Sequence, residues 1–207
     1  MDIKVSLSNN KLGNIPSFSL PAKTTCPGSS PWCAQFCYAA KLERIYPNVK
    51  NAYSTNFNLV SSQPSVTETE LAASIAKSTK VNKVFRLHVS GDFYSEEYIM
   101  MWDRLIKNNP NVTFYAYTKS WSVDTLKTSL EHLRKNTNLV LFASTDSTTS
   151  ATPPKEWRIA YAGETKPLSL SKLVVCPQQQ PGSSITCDKC KLCYHTTSTV
   201  NIFFKKH

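Results

Sequence analysis

Apolar residues recur at two distinct periods through the middle of the chain. Tyr98, Ile99, Trp102, Leu105 and Ile106 fall on one stripe, at the three-and-four spacing that lets a helix bury one face. Ser95 stands where an N-cap belongs, and Asn109-Pro110 where the helix must stop. Val123, Leu126, Leu130 and Leu133 mark a second helix over 122–135. Short apolar runs at 84–89, 112–117 and 139–143 read as strands, starting at nearly equal spacing with a helix in each gap. That alternation predicts a parallel sheet with right-handed crossovers. The expected fold is α/β, a partial (β/α) barrel, with an open doubly wound sheet as the alternative.

The flanks are less regular. Residues 3–7 and 16–20 read as short strands separated by the turn-forming Ser8-Asn9-Asn10 and Gly13-Asn14. A helix over 33–44 would set Cys33 and Cys37 one turn apart on one face, and a helix over 51–61 closes before Pro64. Thr67 and Glu70 have capping-box spacing and predict a helix start there, running to 78. Weaker strands are expected at 159–162 and 173–175, and a last edge strand at 200–204. We expect a single domain over 1–207: an N-terminal part (1–64), β/α units (65–175) and a cysteine-rich end (176–207).

Composition narrows the class. With 207 residues, 41% of them hydrophobic, the chain can bury a core without disulfides. Its first residues contain no apolar signal segment, and no run is long enough to span a bilayer. A cytoplasmic protein with no membrane partner is expected, and oligomeric state is not encoded in any pattern. In a reducing compartment seven cysteines, an odd number, argue for metal ligation. The formal charge of +10 points to nucleic acid or another anionic substrate. Thiolate ligation would lower that charge by several units, and the lysines are scattered, so a merely soluble basic surface is the competing reading.

The cysteines carry the sharpest signal. Cys187, Cys190 and Cys193 are each separated by two residues, with Cys176-Pro177 just upstream. Bacterial ferredoxins hold an iron–sulfur cluster with such a run plus a more remote Cys-Pro. Cys26, Cys33 and Cys37 form a second group. Four thiolates close a cluster's coordination, whereas three leave one iron open, by analogy with closed and open zinc sites. One or two [4Fe–4S] clusters are therefore the candidate cofactors. Zinc, disulfides, and a single four-thiolate site with the other thiols merely buried are the alternatives.

Ligands in parallel α/β folds bind at the carboxyl ends of the strands. The residues just past each predicted strand are Ser90, Gly91 and Asp92 (with His88 before them), Thr118 and Lys119, Ser144 to Asp146, Gly163 and Glu164, and Cys176. Each has a plainer reading. His88 suits a hydrogen-bonded core position, Asp92 and Asp146 could cap helices, and Lys119 could be solvated. Trp32 and Tyr38 suit packing around the cysteine loop.

Cys26-Pro27-Gly28, Trp32-Cys33, Cys37-Tyr38-Ala39, the 88–93 segment and the closing Cys176-Pro177 with Cys187, Cys190 and Cys193 resemble the phage gene product 88 domain family over residues 12–194. The resemblance implies a viral or mobile-element origin, with the host cytoplasm as location. A second likeness is to radical S-adenosylmethionine enzymes, in Phe36 before Cys37 and in Ser90-Gly91-Asp92 after a strand, although the cysteines here are spaced more widely than in that family. It implies a cluster on Cys26, Cys33 and Cys37, with S-adenosylmethionine as a candidate cofactor contacting Ser90, Gly91 and Asp92. Two expectations follow. One is a radical-SAM-like or redox iron–sulfur enzyme, served by an electron donor, in which Asp92 and Lys119 position the ligand. The other is a metal-stabilised nucleic-acid-binding module in which Tyr115, Tyr117, Trp121 and Trp157 stack on bases.

Overall fold

The computed structural model describes residues 2–206. Its strands are β1 (Val5–Ser6), β2 (Ser17–Phe18), β3 (Val84–Leu87), β4 (Thr113–Thr118), β5 (Leu139–Asp146), β6 (Arg158–Gly163), β7 (Leu173–Val175) and β8 (Asn201–Lys205). They form one mixed sheet in the order β1-β2-β3-β4-β5-β6-β8-β7. Every neighbouring pair is parallel except β1 with β2. The two ends of the sheet do not pair, so it is open and not a closed barrel. All three sequence segments contribute strands to it. The 200–204 run, expected at an edge, lies inside the sheet between β6 and β7. Its Ile202 and Phe203 are buried, and burial on both sides favours a central position over an edge.

Side chains alternate across the strands, as pleating requires. Phe85, Leu87, Phe114, Ala116, Leu139 and Leu141 point to one face. There they meet the apolar sides of α3 (Pro47–Ser62), α4 (Pro64–Ser78), α5 (Glu96–Lys107) and α6 (Asp124–Arg134). Trp102, Ile99 and Ile106 of α5, and Leu130 and Leu133 of α6, are almost fully buried, each side chain worth about 1.5–3 kcal/mol of burial. Val84, Tyr115, Val140, Phe142, Ala160 and Ile202 point to the other face. Among the described residues no long helix covers that face. It is closed by Leu12, Ile15 and the cysteine-rich connection between β7 and β8, through Leu192 and Tyr194. This one-sided helical layer departs from a doubly wound sheet.

Local starts and stops differ from expectation at three places. The helix expected over 33–44 is broken into α1 (Pro31–Gln35) and α2 (Tyr38–Ile45), with Cys37 as the N-cap between them. The capping box at Thr67 does not form. Pro64 at the first helical position starts α4 instead, Thr67 sits inside the helix donating its N–H to Gln63, and the Glu70 carboxylate accepts from Ile3 N–H at 3.2 Å. The helix expected at 51–61 starts earlier, at Pro47, for the same reason.

Candidate functional site

The first cysteine group lies over the carboxyl ends of β3, β4 and β5. Gly28 brings the loop against the Lys119 backbone, where a Cβ would stand 2.2 Å from the carbonyl oxygen. Gly91 has φ +80°, and a Cβ there would meet Thr25 Oγ1 at 2.6 Å. Ser30 caps α1, accepting from Cys33 N–H at 3.1 Å, and donates its hydroxyl to Asp146 Oδ2 at 2.5 Å. The same carboxylate takes Lys119 Nζ at 2.5 Å, with both side chains buried. Burial pushes the Asp146 carboxyl up, but the bonds from Lys119 and Ser30 outweigh it and hold it below the usual carboxylate range.

Asp92 accepts from the backbone N–H of Lys119 at 2.7 Å, of Ser120 at 3.3 Å and of Phe93 at 2.7 Å. Burial nevertheless leaves its carboxyl above its ordinary value. Neither Asp92 nor Asp146 caps a helix. Asp92 ties the end of β3 to the end of β4, and Asp146 ties the cysteine loop to β5. Lys119 is the buried partner of that loop and not a solvated lysine. Ser90 is held as well, giving its hydroxyl to Glu43 at 3.0 Å and its carbonyl to Leu20 N–H. His88 is a core histidine. Nε2 shares a 2.8 Å hydrogen bond with Tyr98 Oη, and burial, then the nearby Arg86 charge, pull its pKa down to about 3.

Cys26, Cys33 and Cys37 face a cavity of about 230 Å³ together with Ser90, Gly91, Asp92, Lys119, Arg86 and Tyr117. Burial, and next the Asp92 charge, push the Cys26 thiol up to about 12, with Cys33 and Cys37 adding to the rise. Burial raises Cys33 too, against the pull of Lys119. Cys37 Sγ accepts from Ala40 N–H at 3.4 Å. Trp32 packs against Phe36 with tilted rings whose centroids are 5.3 Å apart, in keeping with a packing role.

The second group lies on the face opposite the α3–α6 layer. Cys187 and Cys190 sit in α7 (Cys187–Cys190), held by Cys187 N–H to Lys11 carbonyl at 2.9 Å and Asp188 N–H to Leu12 carbonyl at 3.2 Å. Lys191 then takes φ +63°, turning the chain after the helix ahead of Cys193. Cys176, Cys187 and Cys193 share one apolar cluster with Tyr115 and Phe142. Burial pushes the Cys193 thiol up to about 11, opposed by a hydrogen bond with Tyr117 and reinforced by Cys187 and Cys176. Burial also raises Cys187, against the pull of Arg86 and Lys11, with Cys176 and Cys190 adding to the rise. All seven cysteines are free, with no disulfide.

Arg86 stands between the two groups, and no sequence signal beyond a cation inside an apolar strand announced it. It is 8% exposed, its guanidinium lies over the rings of Tyr117 and Tyr115, and its Nε meets no hydrogen-bond partner among the described residues. Burial works against its charge, yet the surrounding phenols of Tyr115, Tyr38 and Tyr117 and the Cys187 thiol hold its pKa above the ordinary value. Among the described residues no carboxylate pairs with it. An ion taken out of water without a counter-charge costs several kcal/mol.

Tyr115, Trp121 and Trp157, expected as base-stacking residues, are 1%, 3% and 5% exposed and belong to the core. Tyr117 is half-buried against Phe142 and Phe204. Among the described residues no three His, Cys, Asp or Glu side chains lie close enough to share a single metal ion. No helix among them is long and apolar enough to cross a membrane.

Fold and site together define a thiol-rich α/β protein: an open, mostly parallel sheet with helices on one face and two groups of free cysteines at its rim and on its other face. The family described as Gene product 88 matches residues 3–196, and the chain belongs to that family. It is similar to the Gene 88 protein of Mycobacterium phage L5, with 31% identity over 93% of this chain and 86% of that one. It is also similar to the Gene 88 protein of Mycobacterium phage D29, with 34% identity over 67% of this chain and 60% of the relative. No solved structure matches it.

Proposed function

We propose that this phage-type protein is an iron–sulfur protein of the host cytoplasm. Cys26, Cys33 and Cys37 would hold one [4Fe–4S] cluster at the cavity, and Cys176, Cys187, Cys190 and Cys193 a second one beneath. The observation that carries this reading is the division of seven free thiols into three and four on either side of a buried cation that has no carboxylate. Cys187 and Cys193 lie near enough to Arg86 for their thiolates to offset it.

The cysteine spacing in the sequence supports clusters, with zinc as the alternative. A zinc ion would take four of the thiolates about 2.3 Å from one centre. A four-iron core takes one thiolate at each corner and spreads them apart. When bound at the cavity, a three-thiolate cluster supplies electrons and a vacant coordination position. The chain's own part is to hold the thiols and exclude water. Lys119, Asp146 and Ser30 pin the cysteine loop, while Asp92 fixes the strand ends beside it.

Catalysis of the radical-SAM-like kind is the finer proposal. With Asp92 and Ser90 occupied by the protein's own hydrogen bonds, a ligand would meet mainly the backbone around Gly91. The cavity is smaller than the ~300–1,000 Å³ usual for a drug-sized ligand. It shares Lys11, Phe36, Cys37, Tyr38, Arg86 and Val89 with a larger adjoining groove, so S-adenosylmethionine would have to extend into that groove.

Anaerobic reconstitution followed by iron and sulfide counting tests the reading. Wild type should hold two clusters. Cys33→Ala and Cys190→Ala should each lose about four irons and retain the other centre. Zinc without sulfide, or no metal at all, would remove the proposal. Release of 5′-deoxyadenosine from S-adenosylmethionine under reducing conditions separates an enzyme from a purely structural or electron-carrying cluster protein.

A further inference from the structure

We infer that the groove along α2 is a binding site for single-stranded nucleic acid. The groove measures about 1170 Å³, and its lining includes Lys11, Lys23, Lys41, Arg44 and Arg86 but no carboxylate. Its volume exceeds the ~300–1,000 Å³ typical of small-molecule pockets, which favours a polymer. Among the described residues none of those five cations takes part in an ion pair, whereas Arg104, Lys107, Lys127, Arg134 and Lys206 all do. Other cations without an ion pair, Lys155 and Lys166 among them, lie elsewhere, but these five share one surface that has no carboxylate in its lining.

The local construction of α2 explains this. Its single acid, Glu43, turns inward and accepts from Ala22 N–H at 2.8 Å and from the Ser90 hydroxyl. Lys41 and Arg44 are left outside. Beside them the wall keeps apolar area open: Tyr46 is 52% exposed and Tyr38 41%, although Tyr38 Oη reaches the Val89 carbonyl at 2.5 Å. Arg86 forms the buried end of the groove, its Nε unpartnered.

Interleaved cations and accessible rings are what a single strand uses, phosphates against the cations and bases against the rings. A duplex keeps its base faces stacked inside and would leave Tyr38 and Tyr46 idle. An acidic peptide would use the cations and not the ring faces. The inference stands on charge and ring exposure, independently of any iron.

Fluorescence anisotropy with a short labelled oligonucleotide tests it, with DNA in one arm, RNA in a second and the matching duplex in a third. Both metal-free and reconstituted protein should bind single strands, with log affinity falling against log salt by about 0.7 per phosphate contacted. Lys41→Glu with Arg44→Glu should weaken binding at least tenfold. Tyr46→Ala should weaken it about five- to a hundredfold, the range of a lost base stack. The control pair Lys155→Glu with Lys166→Glu makes the same charge change at exposed positions outside the groove lining and should leave affinity within about twofold. Unchanged circular dichroism establishes that each variant is folded. Absence of binding at low salt, equal loss in the control pair, preference for duplex, or full competition by polyglutamate would each overturn the inference. Iron content measured in the same samples keeps this result separate from the cluster reading.

Discussion

Arg86 lies 5.2 Å from the ring centroid of Tyr117, and the same tyrosine hydrogen-bonds Cys193. A cation in the middle of β3 is thereby linked through one phenol to the end of the cysteine run, more than a hundred residues later. The link predicts opposite consequences of removing the charge with and without metal. In metal-free protein, Arg86→Met removes an uncompensated buried ion and should raise the unfolding free energy by about 1–3 kcal/mol, in line with other replacements of buried charges. In reconstituted protein the same change should loosen the proposed four-cysteine cluster and lower its reduction potential. Denaturation curves and redox titration read the two effects, and the same sign in both states would refute the electrostatic pairing.

The buried Lys119–Asp146 pair anchors the first cysteine loop. Asp146→Ala leaves Lys119 buried without a partner and should destabilise by about 3–5 kcal/mol. Ser30→Ala removes one hydrogen bond to the same carboxylate and a helix cap, for about 1–2 kcal/mol. Urea titrations of the two variants should rank them in that order.

Protonation of His88 supplies an acid limit. Its folded pKa, about 3, lies below the ordinary value of 6.5, so the unfolded chain takes up the proton first. The stabilisation is complete above about pH 6.5 and falls as pH drops towards 3, by up to about 1.4 kcal/mol per unit. His88→Phe should flatten that part of the stability–pH curve relative to wild type. Parallel curves for the two proteins would show that the imidazole is not held neutral.

Three glycines should separate cleanly. Gly28→Ala drives a methyl into the Lys119 carbonyl at 2.2 Å, and Gly91→Ala combines φ +80° with contacts at 2.6–2.7 Å. Each should cost about 1–3 kcal/mol by overpacking and shed iron from the three-cysteine site before the four-cysteine site. Gly182 has φ +72° with nothing within 4 Å. Its alanine variant should cost only the left-handed backbone penalty, about 1–2 kcal/mol, and leave metal content unchanged.

The sheet and its helical layer were readable in the chain because their signals are local. Tyr98 to Ile106 and Leu126 to Leu133 repeat at the helical period, the strands at 84, 112 and 139 are separated by one helix each, and burial of one face follows from that spacing alone. The grouping of the cysteines into three and four was readable for the same reason. Only the folded chain decided the rest. Cys37 caps a new helix instead of continuing the one before it, and Ser30 at the start of that earlier helix is pinned to Asp146, 116 residues away. The last strand is internal because β7 pairs along its far side. Arg86 meets no carboxylate among the described residues, and the groove brings its five cations together, through contacts among Lys11, α2 and β3 that lie far apart in sequence. Periodicity reports which side of an element is buried, whereas charge balance and access depend on which distant elements meet there.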